Sequence, residues 1–320
     1  MALPAEEVSD IELDRRLGLP FGSTFRITGV KRRFLSTTET AAQLAASACE
    51  RALQDAGLQW SDVDCLVAAS ATMDQALPYN AALVHAELGL QAHRTSTFDI
   101  GASCMSFLTA LDLMSYLVAA GRYRRVMLVS ADIATFGMDW KHPRECGIFG
   151  DGAAAAVIRQ AETGEPSELL SAGLLTLSEG VADCRIPGGG SRHHPRRMGQ
   201  DIEPLSVFHM AGKQVYRRVA TELPAFAGRL LREAGQKMEQ LAAVIPHQAS
   251  QLALDHLSKR LHIPSGRLVD VFSQFGNQVG ASLPTALHLA ITDGRVKRGE
   301  SMMLIGTGAG LTMGGIVMTY

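Results

Sequence analysis

Apolar and polar residues recur along this chain at two spacings, and each spacing predicts a kind of element. From Thr38 a capping-type start leads into Ala41, Leu44, Ala45, Ala48, Cys49, Ala52 and Leu53, the recurrence of an amphipathic helix that Gly57 ends. Mostly apolar runs at 63–69 and 125–130 predict buried strands, and 80–88 predicts a helix closed by Gly89. Residues 96–100 are extended. Gly101, Ala102 and Ser103 then allow a sharp turn, and Leu108, Leu111 and Tyr116 mark a helix that stops at Gly121. Gly150-Asp-Gly152 turns into a small-residue strand over 153–158. Residues 1–37 give only weak signals, becoming basic at Lys31-Arg-Arg33. Residues 159–205 read as a long loop holding Gly188-Gly-Gly190 and Ser191-Arg-His-His-Pro-Arg-Arg197. A loop of that length is functional or mobile, and its arginines either solvate a surface or meet a phosphate. Helices are expected over 208–223 and 225–234.

The later elements repeat the earlier ones. Leu241-Ala-Ala-Val-Ile-Pro-His-Gln parallels Val63-Asp-Cys-Leu-Val-Ala-Ala-Ser, and Gly280-Ala-Ser-Leu-Pro-Thr-Ala-Leu parallels Cys104-Met-Ser-Phe-Leu-Thr-Ala-Leu. Met302-Met-Leu-Ile-Gly parallels Val126-Met-Leu-Val-Ser, and Gly314-Gly-Ile-Val-Met parallels Ala154-Ala-Ala-Val-Ile. The first three pairs are displaced by about 176–178 positions and the last by about 160, the spacing of a duplicated α/β unit with extra residues in its first copy. Two such units packed together form a pseudo-twofold, with equivalent strand-to-helix loops facing one cleft.

Composition narrows the class. With 320 residues the chain is one large domain or two fused ones, and 47% hydrophobic content with 31 glycines suits an α/β protein with buried strands. A net charge of −2 supplies no global basic field, which sets nucleic acid aside as a primary partner. Cys49, Cys65, Cys104, Cys146 and Cys184 are widely spaced, odd in number and without a C-x-x-C pair, so neither a disulfide framework nor a zinc site is expected. No basic start leads into an apolar run, and no stretch is long and apolar enough to span a bilayer, so the expectation is a cytoplasmic protein without a membrane segment.

The candidate chemistry sits on three loops of the shared cleft. Cys104 stands at the amino end of a helix, where free N–H groups and the dipole favour thiolate, although alone it reads first as a small buried hydrophobe. His247 follows a buried strand in Pro246-His-Gln248, and Asn277 precedes a helix in Phe275-Gly-Asn-Gln278. Each alone has a structural reading. Together, at corresponding points of two repeats, Cys, His and Asn form a nucleophilic constellation suited to thioester chemistry.

These motifs, Phe98-Asp-Ile-Gly-Ala-Ser-Cys104, Phe149-Gly-Asp-Gly-Ala153, Val244-Ile-Pro-His-Gln-Ala249, Phe275-Gly-Asn-Gln-Val-Gly-Ala-Ser282 and Gly306-Thr-Gly-Ala-Gly-Leu-Thr-Met-Gly314, run in one order from about residue 26 onward. The set resembles the thiolase superfamily, and most closely the β-ketoacyl-[acyl-carrier-protein] synthase III-like condensing enzymes. The resemblance implies an α/β fold, the thiolase-like five-layered αβαβα arrangement of two duplicated halves at 1–165 and 166–320, and a homodimer. It implies ping-pong acyltransferase chemistry on acyl-CoA or acyl-carrier-protein thioesters, with no further cofactor and no metal. Cys104 would carry the acyl group, with the N–H groups of Cys104 and Ala309 holding the oxyanion. His247 and Asn277 would hold the enolate formed as a malonyl-type extender loses CO2.

Other positions are carried over from the same resemblance. Arg144 matches an arginine near the nucleotide. Arg217, Lys259 and Arg260 match basic positions around the tunnel mouth, with Lys213, Arg218 and Ser250 close by, where an acidic carrier protein would dock. Several positions depart from the family. Ser23 and Ile27 stand where a tryptophan and an arginine sandwich the CoA adenine, which predicts preference for carrier-bound donors. Leu77 replaces an aromatic gate residue commonly contributed by the dimer partner, and Thr307 replaces a phenylalanine, so a differently shaped acyl pocket is expected; the condensation would then serve a secondary-metabolite or specialised fatty-acid pathway, which these residues do not choose between. The chain begins near the family's Leu-Pro turn, at Leu3-Pro4, without the edge strand that precedes it there. Two other functions remain on this reading: acyl transfer to an alcohol or amine without decarboxylation, and a non-catalytic carrier-protein-binding subunit. Asn277 beside His247 counts against the first, and the intact Cys104, His247 and Asn277 count against the second.

Overall fold

The computed structural model describes residues 1–198 and 202–320. Residues 1–37, where the sequence pattern is weak, hold β1 (Glu6–Ser9), α1 (Asp10–Leu17), α2 (Ser23–Thr28) and β2 (Arg32–Leu35). Then follow α3 (Ala41–Ala56), β3 (Cys65–Ala68), α4 (Asn80–Glu87), β4 (Ser96–Asp99), α5 (Ser106–Ala119), β5 (Arg125–Asp132), the short α6 (Pro143–Cys146) and β6 (Gly152–Arg159). Next are β7 (Glu168–Thr176), β8 (Cys184–Arg185), α7 (Pro195–Met198), β9 (His209–Met210) and α8 (Gly212–Glu233). The chain ends with β10 (Ala243–Pro246), α9 (Gln251–Arg260), α10 (Phe272–Phe275), α11 (Ser282–Thr292), β11 (Ser301–Gly308) and β12 (Thr312–Thr319).

Two four-stranded sheets face each other, in the orders β4-β3-β5-β6 and β10-β11-β12-β7. In the first, β4 and β5 run parallel to β3 while β6 is antiparallel. In the second, β10 and β11 are parallel and β12 and β7 antiparallel. Side chains alternate across each strand and so divide between layers. Cys65, Val67, Val126 and Leu128 of the first sheet, with Met302, Leu304 and Ile316 of the second, pack around α5 and α11 in one central core. Leu66, Ala68, Met127 and Val129 point the other way, onto α3 and α4. Val244, Met303, Ile305 and Val317 face α8 and Leu257 of α9. The sequence of layers is therefore α3/α4, sheet, α5/α11, sheet, α8/α9, the expected αβαβα arrangement. The edge that β7 occupies beside β12 is met in the first sheet by Ala2 alone, which exchanges two hydrogen bonds of 2.7 and 2.8 Å with Ala153 on β6.

Three local expectations are corrected. The cap of α3 is Thr40, in a capping box with Gln43, rather than Thr38. The supposed loop 159–205 contains the nine-residue β7, whose pairing with β12 shifts register between Val317 and Met318. That irregularity puts Leu169 and Ala172, three positions apart, against the central core, so the period of two that announces a strand is broken. The two helices expected over 208–234 are one, α8, with Pro224 inside it. An interior proline costs about 3 kcal/mol, but Leu223, Phe226 and Leu230 are buried and return about 1.5–3 kcal/mol each, while Pro224 itself lies on the exposed side.

Candidate active site

The carboxyl ends of β4, β10 and β11 meet at one place. Ile100 donates to Ala68 O after β4, and the chain then turns through Ser103, whose φ of 53° is a left-handed conformation rare for a residue with a side chain. The turn Ser103–Met105 opens α5, and Ser106 Oγ accepts the Ala102 N–H at 2.8 Å and donates to Ser103 O at 2.7 Å. This elbow presses onto β11. A Cβ at Gly308 would lie 3.3 Å from Cys104 N, and one at Gly306 would lie 2.6 Å from His247 Cβ and 2.7 Å from Met105 Cε. Gly306 is thus required where the elbow and the histidine loop close over the strand.

The backbone N–H groups of Ala309 and of Cys104 itself lie near Cys104 Sγ and favour its thiolate. They pull the thiol down, yet enclosure of the sulfur pushes it up further, to about 12, with Cys184 and Asp132 adding to the rise. The expectation of a thiolate favoured by the helix start is therefore reversed in the resting protein, because loss of water around the sulfur outweighs the donors.

His247 is buried, and its backbone N–H donates to Ile305 O at 2.8 Å. Its Nδ1 lies 2.6 Å from Ser282 Oγ at the start of α11. Burial lowers its pKa to about 4, so the imidazole is neutral near neutral pH. Asn277 is held by its backbone, which donates to Ile148 O at 2.7 Å, accepts from Gly150 N at 3.2 Å and forms a parallel bridge at Phe149. Its Oδ1 accepts the Val279 N–H at 2.8 Å, so the amide presents Nδ2, which donates to Ala249 O at 3.3 Å and has a second N–H to give. A Cβ at Gly276, where φ is 66°, would strike Ile148 O at 2.6 Å.

Two buried carboxylates brace the backbone around these loops. Asp132 Oδ1 accepts from Ala71 N, Thr72 N and Thr72 Oγ1 at 2.7–2.9 Å, and its Oδ2 accepts from Ala281 N at 3.2 Å. Asp151, in the Phe149-Gly-Asp-Gly run, accepts from Ser36 N, Ala134 N, Thr135 N and Thr135 Oγ1. Neither was singled out from the sequence, nor were Ser282 and Val279. The glycines of β11 were the available signal, since a glycine in a buried strand marks a close approach.

The other expected residues are less gathered. Leu77 is 84% exposed, whereas Thr307 is half-buried on β11. Ser23 is half-buried and Ile27 exposed on α2, and Arg144 is exposed on α6. Lys213 and Arg217 on α8 and Lys259 and Arg260 on α9 are exposed, and the two helices touch through Tyr216 and His256, whose rings are 4.4 Å apart. Ser250 caps α9 by accepting the Ala253 N–H. Arg218 is not a free cation, because it pairs with Asp183 at 2.9 Å. Among the described residues no three His, Cys, Asp or Glu side chains gather as metal ligands, and no helix is long and apolar enough to cross a membrane. A surface cleft of about 570 Å³ opens at the opposite, amino ends of β3, β4 and β5, beside Trp60, Arg94 and Arg122, away from the carboxyl ends where open α/β sheets bind their ligands.

Known proteins share this arrangement. The family descriptions 3-oxoacyl-[acyl-carrier-protein (ACP)] synthase III and its C-terminal part match residues 98–176 and 231–320. The β-ketoacyl-[acyl-carrier-protein] synthase III of Sphingopyxis alaskensis is 32% identical over 318 residues, covering 99% of this chain and 96% of its own. The crystal structure of 3-oxoacyl-[acyl-carrier-protein] synthase III from Aquifex aeolicus superposes with a TM-score of 0.88 at 28% identity, over 100% of this chain and 97% of that one. A priming β-ketosynthase of a polyketide biosynthetic pathway gives 0.87 at 27% identity, over 99% and 93%. Likeness at this identity over nearly the whole length leaves one conclusion: the chain belongs to the β-ketoacyl-[acyl-carrier-protein] synthase III family of condensing enzymes within the thiolase superfamily.

Proposed function

We propose that Cys104, His247 and Asn277 carry out acyl transfer followed by decarboxylative Claisen condensation. The Cys104 sulfur attacks an acyl thioester, and its proton ends on the departing thiol. The N–H groups of Cys104 and Ala309 hold the tetrahedral oxyanion, and the observation that carries this reading is that Gly306 of β11 is closed over by both His247 and Met105 of the elbow, with the imidazole neutral and the Asn277 amide fixed. A malonyl-type thioester then enters. As its carboxylate leaves as CO2, the bond's electron pair becomes an enolate whose oxygen accepts from His247 Nε2–H and Asn277 Nδ2–H. The carbanion attacks the acyl carbonyl, and collapse of the adduct expels the Cys104 thiolate, which takes a proton from solvent, and releases a β-ketoacyl thioester. Each donor is worth about 3–4 kcal/mol at most.

Carrier-bound donors are the preferred substrates, supported by Ser23 and Ile27 in place of adenine-stacking side chains and by the exposed Lys213, Arg217, Lys259 and Arg260 facing an acidic carrier. No cofactor beyond the thioesters takes part. Residues 1–165 and 166–320 act as duplicated halves, an assignment supported by φ values of 53° at Ser103 and 52° at Val279, corresponding positions of the repeat. The working form is a homodimer. Leu113, Tyr116 and Leu117 form an exposed stripe on α5, and β4 is an open sheet edge, surfaces that a second copy would cover.

The test is mass on Cys104. Mixed with a panel of acyl-CoAs and acyl-carrier proteins, the protein gains acyl mass that Cys104→Ala abolishes; no adduct with any donor refutes the reading. Adding malonyl-carrier protein then releases CO2, whereas product without CO2 would mean transfer to another acceptor. Equal use of free acyl-CoA would overturn the donor preference, and a monomer by light scattering the dimer.

A further inference from the structure

The enolate step requires a hydrogen on one particular nitrogen of His247. The imidazole is buried and neutral, so it carries one proton shared between two ring atoms. Nδ1 is engaged by Ser282, while Nε2 has no hydrogen-bond partner among the described residues. Only the Nε2–H tautomer can donate to a developing oxyanion. The other tautomer would turn a lone pair toward it.

The neighbours of Ser282 Oγ decide between the two. A hydroxyl has one proton and two lone pairs. Around Ser282 Oγ lie His247 Nδ1 at 2.6 Å, Val279 O at 3.0 Å and the Gln248 N–H at 3.4 Å. The Gln248 N–H can only donate and Val279 O can only accept. If the Ser282 proton went to Val279 O, Nδ1 would have to carry the imidazole proton and Nε2 would be bare. The repeat supplies an internal comparison, because Ser106 holds the corresponding place at the first elbow. There the hydroxyl lies 2.7 Å from Ser103 O, three residues back, and 3.2 Å from Ser70 O on the loop after β3. At the second elbow the order is reversed. The bond to the carbonyl three residues back lengthens to 3.0 Å, and the short contact is to the side chain of the loop after β10.

We infer that Ser282 is a positioning residue that sets the tautomer of His247: its Oγ–H donates to Nδ1 and keeps the imidazole proton on Nε2. The inference rests on the reading of His247 as an enolate donor, and it gives Ser282 a part in decarboxylation that it does not have in loading Cys104.

Protein labelled with 15N-histidine, with His247 assigned by difference from His247→Gln, should show a protonated Nε2 and a bare Nδ1 in the wild type. Ser282→Ala should shift His247 toward the opposite tautomer and lower CO2 release from malonyl-carrier protein about tenfold to a hundredfold, as for other partners that orient an imidazole. Its Cys104 loading rate should stay within about twofold. Ser282→Thr, which keeps the hydroxyl, should restore the tautomer and most of the CO2 release. A wild-type His247 with its proton on Nδ1 overturns the inference without any variant, as does a Ser282→Ala protein with unchanged tautomer and CO2 release. Absence of CO2 from the wild type would instead sink the condensation reading, and the nitrogen spectrum would still decide the role of Ser282.

Discussion

Cys104 should behave as a resting thiol whose alkylation accelerates with pH far beyond the range of an activated cysteine. Enclosure of Sγ places its pKa at about 12 against the pull of the Ala309 and Cys104 N–H groups. At pH 7 that leaves a thiolate fraction of about 10⁻⁵, compared with about 3% for a free cysteine. Alkylation proceeds through the thiolate, so the rate should climb about tenfold per pH unit and about a thousandfold from pH 7 to 10, with no plateau. The assay is timed iodoacetamide labelling at fixed ionic strength, read by mass spectrometry on the Cys104 peptide. Peptide-level reading is needed because Cys184, pushed up to about 11, and the buried Cys49, Cys65 and Cys146 also react at high pH. A plateau between pH 7 and 9 would refute the reasoning, since it would mean that the donors and the helix start outweigh enclosure. If the slope holds, the helix start does not by itself make Cys104 a thiolate.

Three further outcomes follow from the site. Asn277→Ala removes the Nδ2 donor and should cut CO2 release about 10²–10³-fold, with Cys104 loading measured by mass within about twofold of wild type. Asp132→Asn leaves one oxygen and an NH2 where four donors converge, so urea unfolding should show a loss of about 1–3 kcal/mol. Burial raises the Asp132 pKa to about 6, so the folded state holds this proton better than the unfolded state, and stability from it is present at low pH and lost as pH rises through 6. The gap between wild type and variant should therefore widen from pH 7 to pH 5. Reversing Lys259 and Arg260 to Glu should weaken loading from acyl-carrier protein through KM, steeply so at low salt, while loading from acyl-CoA is unaffected.

Much of this was legible in the sequence because it depends on local patterns. The runs at 63–69 and 125–130 announced β3 and β5, and the repeat of about 176 positions announced the second sheet and the pairing of the elbows. What escaped detection depends on contacts distant in sequence. β7 was invisible because its register shift breaks alternation, and Pro224 was read as a break because burial of Leu223, Phe226 and Leu230 is a tertiary quantity. The protonation of Cys104 was misjudged for the same reason. The helix start is written in the sequence, while what opposes it is assembled from distant parts: β11 pressed on the elbow, and the charges of Cys184 and Asp132. Ser282 and Val279 were overlooked because a serine and a valine carry no chemistry until the fold sets one against His247 and aims the other's N–H at Asn277.

With Cys104 as the proposed nucleophile, the duplication also accounts for there being one rather than two. Ser103 and Val279 take the same left-handed φ, so both elbows have the shape that could present a side chain at the next position. At the first, that side chain is Cys104, with two N–H groups near its sulfur. At the second it is Gly280, where a Cβ would lie 2.8 Å from Asp132 Oδ2, 3.2 Å from Ser130 Oγ and 3.4 Å from Ala69 O. The space a second nucleophile would need is filled by the carboxylate that the first half sends across to Ala281 N. The same carboxylate anchors the start of α11, and Ser282 on that helix meets His247. Closing the second elbow to a nucleophile and fixing the imidazole beside the first are thus two consequences of one buried contact, and the two copies of the repeat become unequal through Asp132 as well as through Cys104.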